Sequence, residues 1–541
     1  MIRREGIMLC RSSKITRRDF LKKTEGSAVG AVSFPYIFSL SASQANGNVT
    51  ARPNVVLIYT DDQDNNEVGC YGGNVSTPHI DSLAAEGIKF TRFYPSSPVC
   101  SPSRYSVLTG RYASRSRGLQ SQHPTTDHAF IRWNTPFVAG EETLATMLGR
   151  HGYVTGMVGK WHNGEPKLKP IPPDADATDP QVAKRVKDID RKTCEHIRRC
   201  TGFDYVDGIY GQNITWMPIP SSLQVHNQDW LTSCALRFIQ QNARRPFFLY
   251  MATTLPHAPN PLTSLKADPR ITPAGYLDEA PNVQPSRADI LHRADEAGLR
   301  KEDFRRGTWA AIAWLDDGVG AILHKLDEFG LTENTMVIFT SDHANRGKMT
   351  CYAGPVPCIV RWKSRIPAGM VCDELVSNID VAPTILSACG VSPPGNHKLD
   401  GSSWQPLWQK TDTSWRDSLL IEITYTRGVL MKDWNYVAIR YPETITKTIT
   451  PENRRQFSQE GTRVSQGSRQ NESVRYNADR DFPGYYDYDQ LYDLRADPKQ
   501  QENLAGDPKY AARLRDMKER LCRYCEVLPH PFGEFRPASG P

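Results

Sequence analysis

The sequence predicts an α/β fold: a large, mostly parallel sheet sandwiched by helices, with a smaller α+β C-terminal subdomain. Two observations carry this. Short apolar runs alternate with helix-period patterns through residues 53–400, as in a parallel-rich sheet covered on both faces. After about residue 405 the alternation gives way to short strand-like runs, a polar stretch at 443–480 and a final helix.

Taken in order, Asn54 to Thr60 is a buried strand by its length and β-branching. Thr77-Pro78 opens a helix with a capping residue followed by proline, Ile80, Leu83 and Ala84 share one face, and Gly87 stops it. Glu141 to Arg150 reads as a helix and Tyr153 to Val158 as a strand. Pro246 to Ala252 is a strand, Phe304 to Phe329 a long amphipathic helix, and Met336 to Thr340 a further strand. Residues 165–200 and 258–300, rich in proline and charge, read as long insertions that shape a substrate pocket. In the C-terminal part, Leu419 to Thr424 and Tyr436 to Arg440 read as strands and Pro508 to Cys522 as the last helix. The expected organisation is a leader at 1–45, a catalytic domain at 46–405 and a subdomain at 406–541.

The formal net charge of +6 belongs almost entirely to the leader, where 8 Lys/Arg face 3 Asp/Glu; the remaining 58 and 57 nearly cancel. A neutral body excludes a nucleic-acid-binding protein, which needs a basic face. In the leader, Thr16-Arg17-Arg18-Asp19-Phe20-Leu21-Lys22 precedes a weakly apolar run from Ala28 to Leu40 and the small residues Ser43-Gln44-Ala45. These are the parts of a twin-arginine export signal. The apolar run is too short to span a bilayer, so the expected mature chain starts near Asn46 and has no membrane span. The expected location is the bacterial periplasm or the exterior, reached through the twin-arginine export machinery. That machinery carries folded proteins, so any maturation would come first. Of the 12 cysteines, Cys522-x-x-Cys525 has half of a zinc-site spacing and lacks the other half.

Four strands end in chemically active residues. The first runs into Asp61-Asp62, the strand at 336–340 into Asp342-His343, and that at 153–158 into Lys160-Trp161-His162; the strand at 246–252 is followed by His257. Ligands bind outside the carboxyl ends of parallel strands, so these groups converge on one edge. Gathered carboxylates repel one another unless a cation sits among them, and an oxygen-rich set suits a hard ion such as Ca²⁺ or Mg²⁺. The Asp316-Asp317 pair lies within a helix and reads as a surface or capping feature.

The segment Cys100-Ser101-Pro102-Ser103-Arg104, continuing to Leu108-Thr109-Gly110-Arg111, resembles the maturation signature of the formylglycine-dependent sulfatases of the alkaline-phosphatase-like superfamily. The resemblance covers about residues 53–505 and includes Gly159-Lys-Trp-His162, Pro256-His257, Ser341-Asp-His343 and Leu491-Tyr-Asp-Leu494. It implies an alkaline-phosphatase-like fold, a sulfuric ester hydrolase, and conversion of Cys100 to 3-oxoalanine (formylglycine) by a formylglycine-generating maturation enzyme. It further implies one Ca²⁺, with Mg²⁺ as the alternative, held by Asp61, Asp62, Asp342 and His343 and touched by modified Cys100. Arg104 matches the residue that holds the formylglycine, and Lys160 and His162 the pair flanking its hydroxyl and the sulfate. His257 matches the proton donor to the leaving alcohol and Lys348 a sulfate-binding lysine. After Lys348 the sequence departs from the family: Tyr352-Ala-Gly-Pro-Val-Pro357 is shorter than the usual segment and lacks its Glu and Arg. The expected substrate is a sulfated carbohydrate or another sulfate ester. Two alternatives stay open: a phosphodiesterase or phosphonate monoester hydrolase of the same superfamily, and a non-catalytic sulfated-glycan-binding protein with unmodified Cys100.

Overall fold

At the centre of the chain, five parallel strands bring their carboxyl ends to one edge of a larger sheet. The computed structural model describes residues 52–299, 305–411, 414–463 and 478–535; the expected leader lies outside the described residues. The sheet has eight strands: β1 (Asn54–Asp61), β2 (Ile88–Phe90), β3 (Val154–Lys160), β4 (Tyr205–Tyr210), β5 (Phe247–Pro256), β6 (Thr335–Ser341), β7 (Cys358–Arg361) and β8 (Met370–Cys372). Their order is β8-β2-β7-β6-β1-β5-β3-β4. The run from β6 to β4 is parallel, β7 is antiparallel to both its neighbours, and β8 is parallel to β2. The expected α/β architecture is therefore the observed one.

β1 shows why the central strands lack polar alternation. Val55, Leu57 and Tyr59 enter one core, Val56 and Ile58 the other, and all five are fully buried. Burying each such aliphatic side chain stabilises the fold by roughly 1.5–3 kcal/mol. The Val56 face is covered by α1 (Pro78–Ala85), by α4 (Gln228–Asn242) and by α5 (Arg305–Glu328), which supply Leu83, Phe238 and Trp314 among others. The opposite face is covered by α2 (Cys100–Thr109), through Tyr105, Val107 and Leu108.

Two local expectations need correction. Thr77 does not cap α1 with its side chain: its hydroxyl accepts the Gly69 N–H and donates to Asp81. The α1 N–H groups of His79 and Ile80 donate instead to Asp316, at 3.3 and 2.8 Å. Asp316 is thus a cap delivered from another helix and is buried. The second correction concerns 165–200, most of which is α3 (Pro180–Thr201), capped by Asp179 and closed by Gly202 in the left-handed region. Its high charge reflects a strongly one-sided helix: Val186, Ile189, Thr193, Cys194, Ile197, Cys200 and Thr201 are buried, and the charged residues lie mostly on the opposite face.

The C-terminal part forms a second, antiparallel sheet of β9 (Leu419–Ile423), β10 (Thr426–Leu430), β11 (Trp434–Ile439) and β12 (Asp489–Asp493), in that order. One face packs on α6 (Ala511–Val527) through Met517, Leu521 and Cys525. The other packs on Val99, Met349, Cys351 and Tyr352. This sheet therefore backs both the residue before Cys100 and the segment after Lys348. The cysteines among the described residues are free thiols. None of the described helices is long and apolar enough to cross a membrane.

Candidate active site

Each residue of the Cys100–Arg104 segment has a distinct physical task. Cys100 is the first residue of α2, and its Sγ lies 3.2 Å from His343 Nε2, 3.4 Å from Asp61 Oδ1 and 3.6 Å from Lys160 Nζ. The Ser101 hydroxyl accepts the Thr135 N–H, and its carbonyl accepts from Asn163 Nδ2, which fixes the start of the helix. Pro102 stands in the first turn, where a missing N–H costs nothing. The Ser103 hydroxyl donates to the Asp342 carbonyl at 2.5 Å and lies 2.9 Å from the Tyr59 hydroxyl. Arg104, fully buried, donates to Asp342 Oδ2 at 2.8 Å and Asp61 Oδ1 at 3.3 Å. At the far end, Gly110 adopts φ 69° and ends the helix; a Cβ there would lie 2.7 Å from Leu399.

The strand ends bring in the remaining groups. Lys160 closes β3, and its Nζ donates to Asp61 Oδ2 and to Asn213 Oδ1, both at 2.6 Å. Gly159 before it is obligatory: its φ is 103°, and a Cβ would lie 1.8 Å from the Ala252 carbonyl oxygen on β5. Asp342 Oδ1 accepts the N–H groups of Asp62 and His343. Lys348 Nζ donates to Asp62 Oδ2 at 2.5 Å. His257 Nε2 lies 3.6 Å from the same oxygen. Three non-glycine residues here hold positive φ: Asp62 at 64°, His162 at 57° and Met349 at 65°. Strain of this kind costs on the order of 1–3 kcal/mol per residue and collects at functional sites.

The electrostatics follow from burial and partners. Burial works against ionised Asp61, but Lys160, His257 and Arg104 hold its carboxyl well below the usual carboxylate range. For Asp62, Lys348 and His343 do the same. His343 is buried, yet Asp342 and Asp62 push its pKa well above the ordinary value. His162 goes the other way: burial and Lys160 push it well below, so it is neutral. Burial lowers His257 against the pull of Asp61 and Asp62. Burial also raises the Cys100 thiol, so the unmodified side chain is a poor nucleophile.

Asp62, Cys100, Asp342 and His343 offer donor atoms that all lie within 4.8 Å of one another. Asp61 stands beside this group, its carboxyl shared by Lys160 and Arg104. The donor set fits a hard divalent ion, being rich in carboxylate oxygen. His343 fits too: Nδ1 donates to the Ala344 carbonyl, and Nε2 faces the carboxylates, so an ion that displaced the Nε2 proton would meet its lone pair. Three carboxylates face three fixed cations (Arg104, Lys160 and Lys348), so a divalent ion would leave the site net positive. A second His/Asp group, His79 with Asp316 and Asp317, serves as the α1 cap, with Asp317 paired to Arg293.

All ten residues expected from the sequence thus meet around one point. Sequence reasoning missed Asn213 and the whole of β4, whose carboxyl end delivers it. The run Tyr205–Tyr210 carries two polar or flexible residues, Asp207 and Gly208, which mask its strand character. It also missed Glu165, Gln212 and Trp216, which, with Trp133 and Asn134, wall a cavity of about 250 Å³ above Cys100, His162 and Lys348. No motif marks them; only the meeting of three loops does.

A family model described as Sulfatase matches residues 53–391. Arylsulfatase A of Homo sapiens is 32% identical over 429 residues, covering 72% of this chain and 75% of the relative. N-acetylglucosamine-6-O-sulfatase of Bacteroides thetaiotaomicron is 24% identical over 529 residues, covering 87% and 86%. A solved structure in complex with its substrate D-glucosamine-2-N,6-O-disulfate superposes with a TM-score of 0.55 at 19% identity, covering 88% of this chain and 98% of that one.

Proposed function

This chain belongs to the sulfatase family and is a sulfuric ester hydrolase, and from that premise we propose that it is exported and removes sulfate from sulfated carbohydrate, using residue 100 as the nucleophile after conversion to formylglycine. One observation carries the reading: the Cys100 side chain lies within 3.2–3.6 Å of an imidazole, a carboxylate and an ammonium group on separate elements. The curated relatives' names support an amino-sugar sulfate as substrate, and the Arg17-Arg18 leader supports twin-arginine export.

The conversion replaces the thiol-bearing CH2–SH with an aldehyde. Sulfur leaves as sulfide, water supplies the oxygen, and two electrons pass to an acceptor provided by the maturation enzyme. As its hydrate, residue 100 supplies the attacking hydroxyl and, by collapse to the aldehyde, a way to expel sulfate. Asp61, Asp62, Asp342 and His343 would hold a divalent ion, calcium or magnesium. When bound, the ion supplies positive charge that acidifies that hydroxyl and offsets charge on the sulfuryl oxygens.

The chain's own residues do the remaining work. Lys160 and Lys348 bind sulfate oxygens and draw the anion in. Neutral His162 takes the proton from the hydroxyl that collapses, and His257 gives a proton to the leaving alcohol oxygen. Arg104 helps keep Asp61 ionised and holds the carboxyls of Asp61 and Asp342 in place. The positive end of α2 points at the same anion.

Turnover of 4-nitrophenyl sulfate compared with bis(4-nitrophenyl) phosphate tests the reaction class. Preference for the sulfate supports the reading. Preference for the diester would make the protein a phosphodiesterase on the same scaffold, and turnover of neither would favour a binding protein.

A further inference from the structure

The cavity above Cys100 holds three features that the sulfate chemistry does not use. Trp216, at the end of the 214–216 turn, is 53% exposed, although it is the largest type of apolar side chain. It stands edge-on to His162, ring centroids 6.4 Å apart, so it flanks the catalytic imidazole while keeping much of its ring surface free. An exposed indole in a cleft is a platform for the apolar face of a sugar ring.

The second feature is Glu165. Its Oε2 accepts from Gln212 Nε2 at 3.1 Å, whereas Oε1 is buried and has no hydrogen-bond partner among the described residues. Gly211 lies beneath Oε1, and a Cβ there would come within 3.2 Å of it. Burial alone raises this carboxyl, to about 7. The third feature is the brace between the two. Gln212 Nε2 also donates to the Trp216 carbonyl at 2.7 Å, so one amide fixes the carboxyl and the aromatic turn together. A carboxyl acceptor, an aromatic face and a preset spacing form a recognition site with no structural task evident in their contacts.

The volume limits what fits. About 250 Å³ lies just under the usual range for small-molecule clefts, roughly 300–1,000 Å³. That is room for one ring, not for an enclosed oligosaccharide.

The geometry points to a specificity site in which Trp216 stacks on one sugar ring and Glu165, set by Gln212, accepts hydrogen bonds from its unsulfated hydroxyl or amide groups while repelling a second sulfate on that ring. This rests on the sulfatase reading and narrows it to singly sulfated rings. Above a pH of about 7, where this carboxyl is ionised, a donor on the substrate satisfies Oε1, whereas a second anion would meet an uncompensated negative charge, a juxtaposition that costs affinity heavily.

The test uses three probes: 4-nitrophenyl sulfate, N-acetylglucosamine 6-sulfate and glucosamine 2-N,6-O-disulfate. Assayed well above pH 7, where Glu165 is ionised, the full-length matured enzyme is expected to prefer the monosulfate over the disulfate by about tenfold or more in kcat/KM. Glu165→Gln should shrink that preference by about tenfold, and should lower kcat/KM for the monosulfate relative to 4-nitrophenyl sulfate, mainly through KM. The aryl probe can use the Trp216 face but offers nothing for the carboxyl to bind. Equal use of the two sugars by the wild type, an unchanged ratio in the variant, or turnover of the aryl sulfate with neither sugar would overturn this inference alone. Turnover of none of the three would overturn the sulfatase reading as well.

Discussion

The ammonium of Lys160 lies 2.6 Å from Oδ2 of Asp61, and both side chains are about 99% buried, at the carboxyl ends of two strands that flank β5. Such a pair is a commitment: with Asp61 gone, Lys160 is a buried charge without its counter-ion, and with Lys160 gone, Asp61 keeps only the longer contact to Arg104, at 3.3 Å. Lys160→Ala is expected to lower unfolding free energy by about 3–5 kcal/mol, measured by urea denaturation, and to abolish turnover. Lys160→Met combined with Asp61→Leu should recover part of the stability, since Arg104 keeps Asp342 as its counter-ion, and none of the activity. A double variant as unstable as the single one would show that the pair does not carry the loss.

Removal of the ion should be visible without any substrate. Chelator treatment is expected to lower Tm, because an ion held by Asp62, Asp342 and His343 in the folded state alone stabilises that state. Calcium at about a hundred times its Kd should restore about 2.7 kcal/mol. Calorimetric titration of the chelated protein with calcium chloride, and again with magnesium chloride, identifies the ion. Asp342→Asn should bind neither tightly, and unaltered binding in that variant would remove Asp342 from the ligand set.

The role given to His257 predicts a dependence on leaving group. His257→Ala should cut kcat/KM on a sugar sulfate by about 10²–10⁴-fold, because a sugar alkoxide needs a proton to leave. The loss on 4-nitrophenyl sulfate should be far smaller, since nitrophenolate leaves unaided. Equal losses on both would assign His257 to binding.

Asp316 gives the clearest pH effect on stability. Its carboxyl caps α1 from within α5 and is pushed up to about 7 by burial. A carboxyl with a raised folded pKa holds its proton more tightly folded than unfolded. Its contribution is therefore full below the unfolded value near 3.8 and is lost as pH rises through about 7. Tm of the wild type should fall between pH 5 and 8 more steeply than that of Asp316→Asn, which retains the Oδ1 acceptor for Ile80. Parallel Tm profiles would contradict the assignment.

The sequence made the centre of the fold and the floor of the site readable for the same reason. Strands buried on both faces must be apolar along their length, so their ends stand out where Asp61, Lys160 and Asp342 interrupt the run. What was hidden depended on contacts between distant segments. Asp316 caps a helix more than two hundred residues earlier, and no local pattern announces that. α3 looked like a charged insertion because most of its surface faces solvent, although Val186, Ile189 and Ile197 keep helical spacing. β4 was masked by Asp207 and Gly208, and with it Asn213. The specificity cavity arises where three loops meet, so Glu165, Gln212 and Trp216 have no common signature in the chain.

The central claim concerns residue 100. The most direct measurement is the mass of the peptide containing it, taken from protein purified with its activity intact from cells that hold a formylglycine-generating enzyme. The account predicts a side chain in which oxygen has replaced sulfur and two hydrogens, in proportion to specific activity across preparations. Fully active protein whose residue 100 is an unmodified thiol would contradict it.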